Sequence, residues 1–132
     1  MIRLNDLIDL IDQTDCYQQA YLDPTTNETC IVHELIWAGR YETVFDQLIE
    51  GNWIGCPNDQ VIQSEKMKPA FAHLVATKDQ HEALMAALEN SSSVYFFQTI
   101  EDLGLKGSWL DFRRRILRNI AIAWCDDHHL PY

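Results

Sequence analysis

Residues 17–33 read Tyr17-Gln18-Gln19-Ala20-Tyr21-Leu22-Asp23-Pro24-Thr25-Thr26-Asn27-Glu28-Thr29-Cys30-Ile31-Val32-His33, and this stretch decides the fold class. Its centre, Asp23 to Asn27, joins a proline of preset φ to Asp and Asn side chains that hydrogen-bond their own backbone, which is turn chemistry. The flanks, Tyr17–Leu22 and Glu28–His33, carry Tyr, Ile, Val and Cys suited to a pleated surface. Together they predict a β-hairpin. Trp53-Ile54-Gly55-Cys56-Pro57 reads as a third, short strand ended by proline and pairing with the hairpin.

Around the hairpin the chain reads as helix. Leu4, Leu7, Ile8 and Ile11 recur at the spacing of one buried helical face, with Asn5 as N-cap. Asp6, Asp9, Asp12 and Asp15 fall three apart, so they wind slowly around the solvent side of that helix as an acidic face. Tyr41 to Ile49 predicts a short helix stopped by Gly51, and Pro57 to Gln60 a turn. Ile62 to Ala76 is helical, with Pro69 limiting how early it starts. Asp79 is the expected cap of a helix reaching Asn90, and Val94 to Leu103 forms another closed by Gly104. Ser108 caps the last helix, with Trp109, Phe112, Ile116, Ile120, Ala123 and Trp124 as its inward stripe. The expectation is one α+β domain over residues 1–132. It has an N-terminal helix, a small antiparallel sheet of about three strands and a C-terminal helical layer with a long last helix.

Charge is unevenly placed. Residues 1–65 hold twelve acids against two bases, while residues 66–132 hold eight of each, so the net charge of −10 sits in the first half. Such a field reads first as a source of solubility alone, and otherwise as one that disfavours nucleic acid and anionic lipid as partners for that half and favours a basic one. No apolar run approaches the roughly 20 residues that a bilayer span requires, and residues 1–6 lack a secretory pattern. A cytoplasmic setting is expected. There the thiols of Cys16, Cys30, Cys56 and Cys125 stay reduced, and their spacing contains no C-x-x-C pair.

Candidate site residues are few. Arg113, Arg114 and Arg118 belong to the basic cluster on the last helix, with Arg114 and Arg118 one turn apart. They read either as internal partners of the acidic half or as an anion or partner contact. The C-terminal run Cys125-Asp126-Asp127-His128-His129 has metal-ligand residue types without the i, i+4 order of a zinc helix, so no metal or other cofactor is expected. Cys30 and His33 fall on opposite faces of a strand, and His73 and His81 read as surface or core-edge residues. No G-x-S-x-G, phosphate loop, dinucleotide fingerprint or H-E-x-x-H occurs.

Three ordered segments resemble a family of short, acidic bacterial proteins to which no activity is assigned. They are Tyr21-Leu22-Asp23-x-x-Thr26-x-Glu28, then Trp53-Ile54-Gly55-Cys56-Pro57, then Leu103-Gly104-Leu105-x-x-x-Trp109-x-x-Phe112-Arg113 with Ala123-Trp124 and a Leu130-Pro131-Tyr132 ending. The resemblance implies an architecture and no activity. Where that family carries a basic, Gly-rich segment ahead of the last helix, this chain has Ser91-Ser92-Ser93-Val94-Tyr95-Phe96-Phe97-Gln98, aromatic and without a base. Three functions follow as expectations: a protein-binding module for a basic partner, of the immunity-protein or antitoxin kind; a small enzyme with a cleft between sheet and helices; or a structural, oligomeric module.

Overall fold

The computed structural model describes residues 2–14, 18–33, 51–75, 77–89 and 93–132. It has the expected α+β architecture: an N-terminal helix, a three-stranded antiparallel sheet and a helical C-terminal region that ends in a long helix. The expected helix at Tyr41–Ile49 lies outside the described residues. The chain divides into two compact units, residues 1–62 with 117–132, and residues 63–116. Among the described residues no helix is long and apolar enough to cross a membrane.

In the first unit, α1 (Leu4–Gln13) buries Leu7, Ile8 and Ile11, each side chain contributing about 1.5–3 kcal/mol relative to an exposed one. The helix begins one residue ahead of its expected cap. Arg3, with extended backbone, takes the N-cap position, and its carbonyl accepts the Leu7 amide at 3.1 Å. Asn5 therefore lies inside the first turn and is not the cap.

The hairpin pairs β1 (Gln18–Leu22) with β2 (Thr29–His33), from Leu22 opposite Thr29 to Gln18 opposite His33. Its turn is held as its chemistry demands. Asp23 Oδ1 accepts the Thr25 amide at 2.9 Å, Thr26 Oγ1 accepts that of Glu28, and Asn27 takes a positive φ of 60°. The third strand, β3 (Ile54–Gly55), lies antiparallel to β1 on its other side, giving the order β2-β1-β3. Tyr17 lies outside the described residues.

Asn58 to Ile62 is a capped helical turn, where a plain turn was expected over Pro57–Gln60. Asn58 Oδ1 accepts the amides of Gln60 and Val61, which gives an acceptor to two of the orphan donors that open α2 (Asp59–Ile62). The last long helix straddles the two units. Its C-terminal half buries Leu117, Ala121, Trp124 and Cys125, and Trp124 Nε1 donates to the Gly55 carbonyl at 3.0 Å. Ala123, expected in the buried stripe, is exposed. The face turned inward runs through 117, 121, 124 and 125, one step around the helix from it. The Ile2 amide meets the Pro131 carbonyl at 2.9 Å, which brings the two chain ends together.

The second unit is helical. Gln63, with a left-handed backbone, precedes α3 (Ser64–Leu74), which runs through Pro69. Proline offers no amide to the carbonyl four residues back, so Glu65 lacks that helical bond. The next helix, α4 (Lys78–Leu88), is capped by Thr77, whose hydroxyl accepts the Gln80 amide. Asp79, the expected cap, sits in its first turn instead, where a carboxylate favours the helix dipole. Then comes α5 (Ser93–Asp102), closed by Gly104 at φ 69°. Finally α6 (Lys106–Asp127) starts two residues before its expected cap, Ser108. Trp109 of α6 is ringed by Phe71 and Phe96 at centroid distances of 5.3 and 5.5 Å, both edge-to-face, and by Phe97 at 5.8 Å.

Candidate functional site

One cavity of the first unit, about 780 Å3, opens between α1 and the hairpin. Helical spacing brings Asp6 and Asp9 to its border, with Leu7 and Leu10 from the same helix. The strands supply Leu22, Thr29, Cys30 and Ile31. Asp6 and Asp9 are exposed while Leu7 and Leu22 are buried, so the cavity couples an acidic margin to an apolar floor. Arg3 also lines it and is the one base to do so among the described residues. Asp12 is exposed on α1 without lining the cavity, and Asp15 lies outside the described residues. Among the described residues the acidic face is thus two carboxylates at a cavity mouth and a third beyond it.

A second cleft, about 450 Å3, lies between the β3–α2 segment and the C-terminal half of α6. Pro57, Val61, Ile120, Ala123 and Trp124 give it apolar walls, and Gln19, Asn58, Asp127 and His128 add polar groups. Gln19 Nε2 donates to the carbonyls of Ala20 and Cys56 at 2.8 and 2.9 Å. Asn58 Nδ2 donates to Gln19 Oε1 at 3.2 Å. The His128 ring stacks on Trp124 with centroids 5.0 Å apart.

Among the described residues, neither the thiols nor the buried amine offers a nucleophile. Burial pushes the Cys56 thiol up to about 12, with further contributions from Cys30 and Cys125. Burial likewise raises Cys30 and Cys125. A thiol that keeps its proton at neutral pH is a poor attacking group. Cys30, Cys56 and Cys125 are free, and Cys16 lies outside the described residues. In the second unit Lys68 is 6% exposed. Its Nζ donates to Ser93 Oγ at 2.8 Å, a distance that suits a serine–lysine pair. Glu65 occupies the same ammonium through both carboxylate oxygens at 3.0 and 3.1 Å. An ammonium donating to a carboxylate and a hydroxyl has no lone pair with which to take the serine proton, so the arrangement ties α3 to the start of α5.

The arginine cluster falls on α6. Arg113 is half-buried, with Nη1 3.7 Å from Met67 Sδ, and Arg114 and Arg118 are exposed. In the C-terminal run Cys125 is buried and Asp126, Asp127, His128 and His129 are exposed. Among the described residues no group of three His, Cys, Asp or Glu could hold a metal ion. His73 and His81 stack at 5.0 Å, and His81 Nδ1 lies 2.6 Å from the Ala72 carbonyl.

Sequence reasoning singled out Asp6 and Asp9 and passed over the amide pair of Gln19 and Asn58 and the Lys68 knot. Asn58 carried a signal, being a cap residue directly before Asp-Gln-Val-Ile, and so did Glu65 three residues before Lys68. Gln19 carried none, because its partner lies 39 residues away. No protein-family model, curated protein or solved structure matches the chain, so the ordered motifs stand as a likeness of pattern and assign no family.

Proposed function

We propose that this chain is a non-enzymatic binding module for a basic protein, acting in the cytoplasm in the manner of an immunity protein or antitoxin. One observation carries the reading: exposed Asp6 and Asp9 border an open cavity floored by Leu7, Leu10, Leu22 and Ile31. A Lys or Arg side chain has the matching construction, an apolar stem with a cationic head. The acidic balance of residues 1–65 would steer such a partner over longer range and weaken with salt. A reducing compartment would keep the thiols of Cys30, Cys56 and Cys125 free.

The test is capture from a lysate at low salt and at about 0.5 M salt, where the screening length falls to a few ångströms. The double variant Asp6→Lys/Asp9→Lys runs in parallel. The expected result is a basic protein retained at low salt, released at high salt, and held at least ~10-fold more weakly by the variant. Capture indifferent to both salt and charge reversal sinks the proposal.

A second reading has its own observation. Val94, Tyr95, Phe97 and Leu110 of the second unit are large, apolar and exposed, which favours self-association. Light scattering that shows a dimer, broken by Tyr95→Lys and unaffected by Asp6→Lys, would favour the structural module instead.

A further inference from the structure

The hydrogen-bond inventory of the smaller cleft leaves a defined remainder. A side-chain amide has two N–H donors and an oxygen with two lone pairs. Gln19 spends both donors on the Ala20 and Cys56 carbonyls and one lone pair on Asn58. Asn58 spends its oxygen on the Gln60 and Val61 amides and one donor on Gln19. Each of the two amides is held in its orientation by these bonds, since reversing either would set donor against donor or acceptor against acceptor. Among the described residues, what remains is one lone pair on Gln19 Oε1 beside one N–H on Asn58 Nδ2, from residues that both line the cleft.

We infer that this cleft binds a small molecule carrying a primary carboxamide, or a ring amide held cis, on an aromatic or branched apolar body. The complement of an adjacent acceptor and donor is a ligand edge with an adjacent donor and acceptor. A primary or cis amide shows its N–H and C=O on one edge. A trans peptide bond directs them to opposite sides, so peptide backbone does not fit. The walls suit the rest of the ligand. Pro57, Val61, Ile120 and Trp124 are apolar, and Val61 is 58% exposed, so covering it removes apolar surface from water. The volume of about 450 Å3 lies within the range of small-molecule sites. This site is separate from the acidic cavity and independent of the protein-binding proposal.

The experiment is a titration with benzamide, followed through the amide resonances of Asn58 and the indole N–H of Trp124. Benzoate, equal in size and lacking the donor, is the control. Saturable shifts are expected with a dissociation constant on the order of 1 mM, ordinary for so small a probe, and benzoate should bind at least ~10-fold more weakly. Asn58→Asp keeps an acceptor for the Gln60 and Val61 amides and removes the donor, so benzamide binding should fall at least ~10-fold. Ala123→Trp fills the cleft from an exposed helical position and should abolish binding with the melting temperature unchanged. The proposal is overturned if wild-type protein gives no saturable shift by about 10 mM, well above that constant. It is equally overturned if benzoate binds as well, or if either variant binds like wild type. N-acetyl-asparagine methylamide binding ~10-fold more tightly than benzamide would assign the cleft to a partner's Asn or Gln side chain and so also overturn the small-molecule assignment.

Discussion

In the unit of residues 1–62 and 117–132, burial is mainly aliphatic: Leu7, Ile8, Ile11, Leu22, Leu117 and Ala121 are each at most 3% exposed. In the unit of residues 63–116, aromatic rings gather on Trp109, with Phe71, Phe96, Phe97 and Phe112 all within 6.1 Å of it by centroid. The two kinds of core have different consequences. Aliphatic side chains spread burial over many positions of a sheet and two helical segments, and both cavities described above lie there. Aromatic edge-to-face packing concentrates it on one residue whose neighbours all depend on it. The two cavities thus sit among distributed aliphatic packing, and the packing of the second unit rests heavily on a single indole.

Trp109→Ala is the largest expected effect. Removing a buried indole costs about 3–5 kcal/mol, and here it strips the shared partner from four phenylalanines. Leu117→Ala in the aliphatic unit should cost about 2–4 kcal/mol, with neighbours better able to close the gap. Urea denaturation measures both. If Leu117→Ala proves the more damaging, the contrast between a concentrated and a distributed core is wrong.

How much of this contrast is legible in the chain depends on range. The hairpin was readable because the chemistry of Asp23 to Asn27 is local, and its strands pair in the register that turn dictates. The inward face of α1 was readable from spacing alone. Helix starts were read less well. Arg3 and Thr77 take the cap positions expected of Asn5 and Asp79, because a backbone bend or a hydroxyl can open a helix as well as a nearby carboxamide or carboxylate. The second half of α6 showed the other limit. Ile120, Ala123, Leu117 and Ala121 all have apolar spacing available, and tertiary packing chose the latter pair. Of the candidate contacts, Asp6 and Asp9 were visible as a stripe, whereas the cavity they border required the hairpin to be in place.

Alkaline pH should separate the units next. Every cysteine lies outside residues 63–116, and the buried Cys56 thiol is raised from 9.0 to about 12. The folded state holds that proton more tightly than the unfolded state. Its contribution to stability is complete below pH 9 and is lost as pH rises from there toward 12, by at most about 1.4 kcal/mol per pH unit. Denaturation midpoints between pH 8 and 11 should fall more steeply for wild type than for Cys56→Ala. Hydrogen exchange should show the first unit opening first. Equal slopes for wild type and variant would mean that Cys56 ionises as freely in the folded chain as in the unfolded one.

The smallest expected effect compares the two helix ends that close on the same motif. After α5, the Leu105 amide donates to the Ile100 carbonyl at 2.9 Å and the Gly104 amide to that of Glu101 at 3.0 Å. After α6, the Leu130 amide donates to Cys125 at 2.8 Å and the His129 amide to Asp126 at 3.1 Å. Both ends require a left-handed residue, at φ 69° for Gly104 and 56° for His129. Glycine adopts that conformation freely, whereas a residue with a Cβ carries roughly 1 kcal/mol of strain there. A Cβ at Gly104 would meet nothing within 4 Å, so Gly104→Ala should cost about 1 kcal/mol through backbone conformation alone. His129→Gly should gain somewhat less than that, offset by the greater freedom of glycine in the unfolded chain. Thermal denaturation should move in opposite directions for the two variants. A loss of stability in His129→Gly would show that its exposed imidazole contributes more at the end of α6 than its backbone costs.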